Sequence, residues 1–453
     1  MENITSFEFS QEFLEKFQEA ISSGDDRFIR DSLDSVRHED ISALLEEFSA
    51  EESKYVLDLL EKEVASDIIE DLDEDIRAKF LTVLNPEEIA EYIDKIETDD
   101  AADILNDLPV KIREEVIANI GNQEKAFHII ELLRYDEDCA GGLMAKELIK
   151  ANVNWNVVQC VEEIRRQAED VQKIYGVYVV DDQDKLLGRV ALKDMVLAKA
   201  SSKISDIFNS EIISVYTYQK EDEIADIIQK YDLEAVPVIN VSGKLVGRIT
   251  VDDIIDVITE LAEQERKLMA GISEDVEEDD SVWILSRARL PWLVIGLIGG
   301  IVGAQFIGFF EDDLKQVAAL AFFIPLIIAT GGNVGIQSSA LVVQSLASVN
   351  VFDTAPWQKF IKTLVVALIN GVVLAGLVYA FVYFSYGPQL AMVVSLALFS
   401  VVVFASLVGT LIPLLLDRLG FNPALASGPF ITTMVDLLGL ALYFIVAHLL
   451  YNF

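Results

Sequence analysis

Asp436 is the one acidic residue in the middle of the long apolar segments that fill the last third of this 453-residue sequence. A carboxylate at the centre of a bilayer costs about 2.5–3.5 kcal/mol on insertion scales, so it needs water or a charged partner. No Lys, Arg or Glu lies deep in these segments to pair with it. Thr432 and Thr433 lie one turn away, and Pro429 leaves nearby carbonyls free to accept hydrogen bonds. Oxygen ligands around a lone carboxylate favour Mg²⁺, which keeps several of its waters.

An earlier apolar segment adds neutral oxygen ligands and an interruption. Pro325 and the run Thr330–Gly335 favour irregular backbone, which is tolerated at membrane depth only where protein or a water-filled cavity covers it. The residues of this segment that could face a cation are Gly332, Asn333, Gln337, Ser338 and Ser339. The sequence therefore predicts that the segment lines an ion path beside Asp436. The alternative is a protonated Asp436 that hydrogen bonds between helices.

The charge is divided unequally along the chain. The sequence has 35 basic and 75 acidic residues and a net charge of −40, yet 52% of its residues are hydrophobic. Basic and acidic residues are equal in number from Val282 to the end, so the part before it carries the whole net charge. Such an acidic half repels nucleic acid and anionic lipid, and attracts multivalent cations. The alternative is that the acidity serves only solubility.

The apolar segments are long enough to cross a bilayer as helices, which takes about 20 residues each. Lys and Arg flank them mainly on the side of the acidic half, and this bias predicts a cytosolic N-terminus and an external C-terminus in the cell membrane. The predicted spans are Pro291–Phe310, Val317–Ala347, Phe360–Phe384, Leu390–Leu416 and Ser427–Leu450.

Two internal repeats organise the acidic half. Val177–Val196 matches Val236–Ile255 without a gap, and both copies read as strand, glycine turn, strand and helix start. This repeat resembles a tandem pair of CBS domains. Upstream, Ala65–Leu72 recurs as Ala101–Leu108 within a region of helical periodicity, which predicts stacked helical hairpins in a short superhelix.

This order of parts resembles the MgtE family of magnesium transporters over nearly the whole chain. The motifs that carry the resemblance are Tyr135–Met144, Gly331–Gln337 and Asn422–Pro429, the last leading to Asp436 and Gly439. The fold class implied is a multidomain α-helical membrane protein with five transmembrane helices, a cytosolic α/β CBS pair and an N-terminal all-α superhelical domain. The expected boundaries are 1–134 for the helical domain, 135–200 and 201–260 for the CBS domains, 261–285 for a connecting plug helix and 286–453 for the pore.

The resemblance also implies a homodimer in which Asp436 from both chains holds a hydrated Mg²⁺, assisted by the carbonyl near Thr432. It further implies Mg²⁺ sites in the cytosolic half. Their expected ligands are Asp99, Asp103, Asp232, Asp253, Asp256 and Glu265. ATP is a second ligand that the CBS pair is expected to accept, with Asp253 reaching the ribose.

Four positions depart from the family pattern. Leu261 and Gln264 replace acidic residues of the connecting helix, Asn422 replaces an Asp, and Thr363 stands where an acidic residue is frequent. We therefore expect fewer bound ions, or gating that is weaker or shifted in concentration.

Three other functions are alternatives to Mg²⁺ transport. Transport of Mn²⁺, Co²⁺ or Ca²⁺ stays open, although only Met434 offers a soft ligand near Asp436. A membrane enzyme is disfavoured, because acid–base chemistry usually needs a second titratable group at similar depth. A purely nucleotide-sensing signalling protein leaves the interrupted segment without a purpose.

Overall fold

The computed structural model describes residues 9–168, 171, 173–272, 276, 280–347, 356–426 and 428–451. The chain forms two compact units, Met1–Val257 and Ile258–Phe453. Parts of the predicted connecting segment, residues 273–275 and 277–279, and Ser427, the predicted start of the last span, lie outside the described residues.

The first unit begins with short helices, as the 3.6-residue periodicity predicts. Capping boxes start two of them, where Ser49 pairs with Glu52 and Asn85 with Glu88. The helices are α1 Gln11–Ser23, α2 Asp26–Leu33, α3 His38–Leu45, α4 Ala50–Leu57, α5 Lys62–Glu70, α6 Glu74–Leu81, α7 Pro86–Ile93, α8 Thr98–Asn106, α9 Val110–Asn119 and α10 Gln123–Leu132. The two copies of the sequence repeat fall on α5 and α8, and the same apolar positions are buried in both, including Ala65 and Ala101.

Ion pairs connect successive turns of this helical stack. Each pair joins residues about thirty positions apart, so each links one helical hairpin to the next. The pairs are Lys54–Glu88 at 2.7 Å, Lys62–Glu91 at 3.2 Å, Lys95–Glu63 at 2.7 Å and Arg77–Asp107 at 3.1 Å. The exposed pairs contribute little to stability individually, so the buried apolar residues between the helices provide most of the cohesion.

Two small sheets follow, each with three strands in sequential order. The first pair of strands in each sheet is parallel and the second pair antiparallel. The elements are β1 Ile149–Asn152, α11 Val157–Gln167, β2 Val177–Val180, β3 Leu186–Val190, α12 Leu192–Leu197, β4 Val215–Tyr216, α13 Glu221–Tyr231, β5 Ala235–Ile239, β6 Leu245–Thr250 and α14 Val251–Met269. The predicted duplicated strand–turn–strand–helix pattern is confirmed.

The glycine shared by the two copies allows a close crossing of the chain. A Cβ at Gly188 would overlap the carbonyl oxygen of Asn209, and a Cβ at Gly247 would lie 2.8 Å from that of Ala145. The next residue of each copy, Arg189 or Arg248, forms a backbone bridge to that crossing segment. The glycine therefore lets a separate segment pair with the third strand of each sheet.

Within its described residues, the second unit contains five helices that are long and apolar enough to cross a membrane. Its helices are α15 Val282–Phe309, α16 Glu311–Gln316, α17 Ile324–Ala347, α18 Pro356–Tyr386, α19 Pro388–Arg418 and α20 Pro429–Tyr451. The first span starts at Val282, nine residues before the predicted Pro291. α19 is the most buried span and packs against α17, α18 and α20.

The prediction that Thr330–Gly335 interrupts the second span is wrong. α17 runs without a break from Ile324 to Ala347, and the irregular part is a 3₁₀ helix before it, Ala318–Phe323. The glycines serve helix packing instead. A Cβ at Gly331 would lie 2.9 Å from Val401, and one at Gly335 would lie 2.9 Å from Ile431. Small residues at such contacts let membrane helices approach closely.

Gly409 on α19 is the tightest such contact with α17, because a Cβ there would overlap the carbonyl oxygen of Gly335. We expect Gly409→Ala to destabilise the membrane unit by about 1–3 kcal/mol, since backbone must move to admit the methyl group. Thermal unfolding of the purified protein in detergent measures this. Gly376→Ala is the control, because nothing lies within 4 Å of a Cβ at Gly376. Equal melting temperatures for the two variants would contradict the assigned packing.

Candidate functional site

Asp436 lies on α20 where that helix faces α17. A Cβ at Gly332 would lie 3.5 Å from Asp436 Oδ1 and 3.4 Å from the methyl group of Thr432, so the glycine leaves room beside the carboxylate. Among the described residues, no group donates a hydrogen bond to the buried Oδ1 atom. The structure thus brings Gly332, Thr432 and Asp436 together and leaves the carboxylate without a protein partner at that oxygen.

The hydroxyl groups near Asp436 are used within their own helix. Thr432 donates to the carbonyl of Gly428 at 2.9 Å and Thr433 to that of Pro429 at 2.8 Å. These hydroxyl protons are therefore directed away from the carboxylate, so neither threonine donates a hydrogen bond to Asp436.

The polar residues of α17 divide into two groups. Asn333 and Gln337, one turn apart, are exposed in the single chain and free to face a partner or a water-filled space. Ser338 hydrogen bonds with Ser406 at 3.1 Å, and Ser339 donates to the carbonyl of Ala426 at 3.1 Å. The two serine hydroxyls therefore join α17 to neighbouring segments by donating hydrogen bonds, and their role as cation ligands stays a prediction.

A second cluster of oxygens lies in the first unit, where α8 begins. Carboxylate oxygens of Glu97, Asp99 and Glu147 lie within 4.8 Å of one another. Asp99 is 7% exposed, and its Oδ1 atom has no hydrogen-bond partner among the described residues. Three converging carboxylates, one of them buried and unpaired, fit a hard divalent cation.

The first turn of α8 positions this cluster. Glu97 occupies the N-cap position without a side-chain capping hydrogen bond. Buried Thr98 donates from its hydroxyl to Glu147 Oε2 at 2.7 Å and from its backbone N–H to the same oxygen at 3.2 Å. The Thr98 hydroxyl in turn accepts a bond from the backbone N–H of Lys146 at 2.9 Å. A helix N-terminus favours negative charge, so it partly offsets the repulsion among these carboxylates.

Some of the other predicted cytosolic ligands interact with Asp99, and others do not. Asp253 acts electrostatically on both Asp99 and Asp103, and accepts bonds from the backbone N–H and the hydroxyl of Thr250 at 2.9 and 2.7 Å. Asp256 is exposed on α14 and lies within electrostatic range of Asp71. The structure therefore gathers Asp99, Asp103 and Asp253 at one face of the first unit.

Two predicted ligands are not gathered there. Asp232 is the exposed C-terminal cap of α13 and adopts a left-handed conformation with φ 51°. Glu265 is half-exposed near the end of α14, in the second unit.

Crowding changes the titration of these acids. Burial raises the pKa of Asp99 well above its usual value, and Asp100 and Asp253 raise it further. Burial also raises the pKa of Asp100, with Glu70 and Asp253 contributing. Partial burial, with Asp71 and Asp67 adding to it, raises the pKa of Glu70 to about 7. Without a cation, ionisation of this face is therefore unfavourable at neutral pH.

We expect the Mg²⁺-free protein to become more stable as pH falls from 7.5 to 6. The raised pKa values mean that the folded chain binds more protons than the unfolded chain in the window between their unfolded and folded pKa values. Destabilisation is fully present above the folded pKa values and is relieved on acidification. Melting of the full chain in EDTA at the two pH values measures it. A cytosolic transition that moves to lower temperature at pH 6 would contradict this.

Sequence reasoning missed Glu97, Glu147 and Arg248. Arg248 is buried on β6, and its Nη2 atom lies 2.7 Å from both carboxylate oxygens of Glu97. Arg248 lies 151 positions from Glu97 and 101 positions from Glu147 along the sequence, so only the tertiary fold joins these residues. The one local signal is the run Glu97–Asp100, which is unusually acidic for a helix start that is also buried.

Comparison with known proteins covers both units. Residues 324–446 match a family described as divalent cation transporter, residues 36–138 match the MgtE intracellular N domain, and residues 140–201 and 204–260 match the CBS domain. The chain is 36% identical over 450 residues to the magnesium transporter MgtE of Thermus thermophilus, covering 96% of this chain and 97% of that protein. It is 37% identical to the magnesium transporter MgtE of Enterococcus faecalis, covering 72% of each.

Solved structures resemble the first unit. The cytosolic domain of the Mg²⁺ channel MgtE in complex with ATP is 31% identical with a TM-score of 0.50, and the match covers 54% of this chain and 99% of that one. The soluble part of a magnesium transporter gives the same TM-score at 28% identity, covering 56% and 99%.

Proposed function

Because this chain belongs to the MgtE family of divalent cation transporters, we propose that it carries Mg²⁺ across the cell membrane and that cytosolic Mg²⁺ controls the passage. The observation that carries the proposal is the carboxylate of Asp436, which lies beside Gly332 within the membrane unit with a buried oxygen that no described residue neutralises. A hydrated dication is the partner that suits such a group.

The conducting path is proposed to form between two copies of the chain. Asn333 and Gln337 are exposed on the helix that contacts Asp436, and they are suited to hydrogen bond with the waters of a hydrated ion. Two copies that bring their Asp436 residues together would supply two carboxylates to one ion. The first span has few buried residues in a single chain, which leaves apolar surface for lipid and for the second copy.

The acidic half is proposed to lie in the cytosol, with the C-terminus outside. Arg287, Arg289, Lys362 and Arg418 lie at the ends of spans that would then face the cytosol, whereas Lys315 lies in an external segment. This distribution follows the positive-inside rule.

Cytosolic Mg²⁺ is proposed to act on the acidic face of the first unit. Without a cation, Asp99, Asp103 and Asp253 repel one another, and bound Mg²⁺ would bridge them. α14 carries Asp253 and Asp256 in its first turns. The backbone carbonyl of Met269, the last residue of α14, lies close to Gly428, which immediately precedes α20. α14 thus begins in the first unit, where it carries acidic residues, and continues into the second unit. Glu265 near its end and Asp232 on α13 remain proposed ligands.

ATP is proposed as a second ligand of the CBS pair. One of the two structures that resemble the first unit is an ATP complex. Asp253 accepts hydrogen bonds from Thr250 at the start of α14, where a carboxylate can also accept from a ribose hydroxyl. Equilibrium dialysis of labelled ATP against the full chain, with Asp253→Asn as the variant, tests this.

The test of the function is Mg²⁺ flux through the full-length protein in proteoliposomes. We expect Mg²⁺ to enter, and the flux to fall as Mg²⁺ rises on the side of the acidic half. The family description leaves transport of another divalent cation as the second candidate, so Mn²⁺, Co²⁺ and Ca²⁺ are added as competitors. Flux of one of these ions without flux of Mg²⁺ would identify that ion as the substrate instead of Mg²⁺. Absence of flux for every ion would contradict the proposed transport function.

A further inference from the structure

Arg248 occupies an unusual position for a cation in so acidic a unit. Its side chain is 3% exposed, its Nη2 atom lies 2.7 Å from both oxygens of Glu97, and its Nε donates to the backbone carbonyl of Glu147. The guanidinium also lies over the ring of Tyr175, 5.0 Å from its centroid. Arg248 therefore contacts two of the three residues whose carboxylates converge at the start of α8.

The third carboxylate of that group lacks such a contact. Asp99 is buried, and its Oδ1 atom has no hydrogen-bond partner among the described residues. Thr98 fixes one oxygen of Glu147, which leaves the other available. Lys125 also acts electrostatically on Glu97 and Glu147, and Lys146 acts on Glu147. The buried Oδ1 atom of Asp99 is therefore the oxygen of the group that still lacks a partner among the described residues.

We propose that Glu97, Asp99 and Glu147 bind a hard divalent cation and that Arg248 competes with this cation for Glu97. The inference rests on the proposed function, whose regulatory ion it assigns to specific ligands. Arg248 engages both oxygens of Glu97, whereas a cation at the cluster needs at least one of them. Binding of the cation therefore weakens the Glu97–Arg248 pair, and the strength of that pair sets the Mg²⁺ concentration at which the site fills.

This competition predicts opposite effects for the two partners of one ion pair. Arg248→Met keeps an unbranched apolar side chain and removes the competitor, so the Mg²⁺ midpoint falls by about tenfold, within the usual range of coupling between two ligands. Glu97→Gln removes a ligand charge, so the midpoint rises by about the same factor. If Arg248 were only structural, losing either partner would shift the midpoint in the same direction.

The experiment is a Mg²⁺ titration of the purified full-length protein in detergent, without nucleotide, with protection from limited proteolysis as the signal. Arg189→Met is the matched control, because Arg189 is the equivalent residue of the first copy and forms no ion pair within the described residues. Its midpoint stays at the wild-type value. Midpoints that move the same way in Arg248→Met and Glu97→Gln overturn the proposal.

A variant that fails to fold without Mg²⁺ is tested by whether added Mg²⁺ restores its fold. If Arg248→Met is unfolded in EDTA, Mg²⁺ restores the fold, because the cation then neutralises Glu97 in place of the guanidinium. An unfolded variant that Mg²⁺ does not restore contradicts the proposal. Wild-type flux and protection separate this inference from the function on which it rests, since both persist when only the role of Arg248 is wrong.

Discussion

Replacement of Asp436 by alanine or asparagine abolishes Mg²⁺ uptake. The carboxylate is the only acidic group deep in the described membrane helices, and Gly332 leaves space for an ion beside it. Truncating one partner of a desolvated charged contact costs about 2–5 kcal/mol. Since 1.4 kcal/mol is tenfold, we expect flux to fall by about 30-fold to about 4,000-fold. The measurements are flux in proteoliposomes and growth at low Mg²⁺ of cells that lack other Mg²⁺ uptake routes.

The control for this variant is Asp417→Asn. Asp417 is exposed at the end of α19, in the same unit, so its replacement leaves the charge of the path unchanged. Asp436→Asn preserves the size of the side chain, so a loss of flux in that variant reports the charge. Full growth rescue by Asp436→Ala would show that Asp436 is not a pore ligand.

Removal of Mg²⁺ exposes the acidic half to proteolysis, with the segment from Ala262 to Asp280 changing most. Like charges at the start of α8 and α14 repel when no cation bridges them, whereas Mg²⁺ neutralises them and compacts the unit. Asp99→Asn removes a buried ligand, so this variant requires about tenfold more Mg²⁺ for the same protection, as is usual for a lost coupling of this kind. Digestion across a Mg²⁺ titration measures both effects.

Two controls separate bridging from screening. Potassium chloride at matched ionic strength screens exposed charges but does not bridge carboxylates, so it gives little protection. Asp34→Asn neutralises an exposed acid far along the chain from the cluster and leaves the Mg²⁺ midpoint unchanged. Cleavage that is identical with and without Mg²⁺ would show that the acidic face is no sensor.

Much of the fold could be predicted because its signals are local. Five apolar segments of sufficient length, the repeat at Val177–Val196 and Val236–Ile255, and the helical repeat on α5 and α8 all correspond to elements of the structure. The second span was misjudged, because Gly331 and Gly335 are compatible both with irregular backbone and with close packing. Only the positions of Val401 and Ile431 on neighbouring helices distinguish the two.

The candidate sites also differ in whether a local sequence signal reveals them. Asp436 was predictable from hydropathy, since one charge in an apolar segment stands out without knowledge of the fold. Glu97 and Glu147 were not, because each is one acid among many in a chain with 75 of them. What distinguishes them is Arg248, which lies 151 positions from Glu97 along the sequence and hydrogen bonds to it in the folded chain.

The regular ion pairs of the helical stack have a mechanical consequence. Lys54–Glu88, Lys95–Glu63 and Arg77–Asp107 each join one hairpin to its neighbour, so the stack deforms by small changes shared among its joints. Dissolved salt weakens the exposed joints together. The hairpins therefore keep their register mainly through buried apolar contacts, and a change of salt concentration alters the stack only slightly.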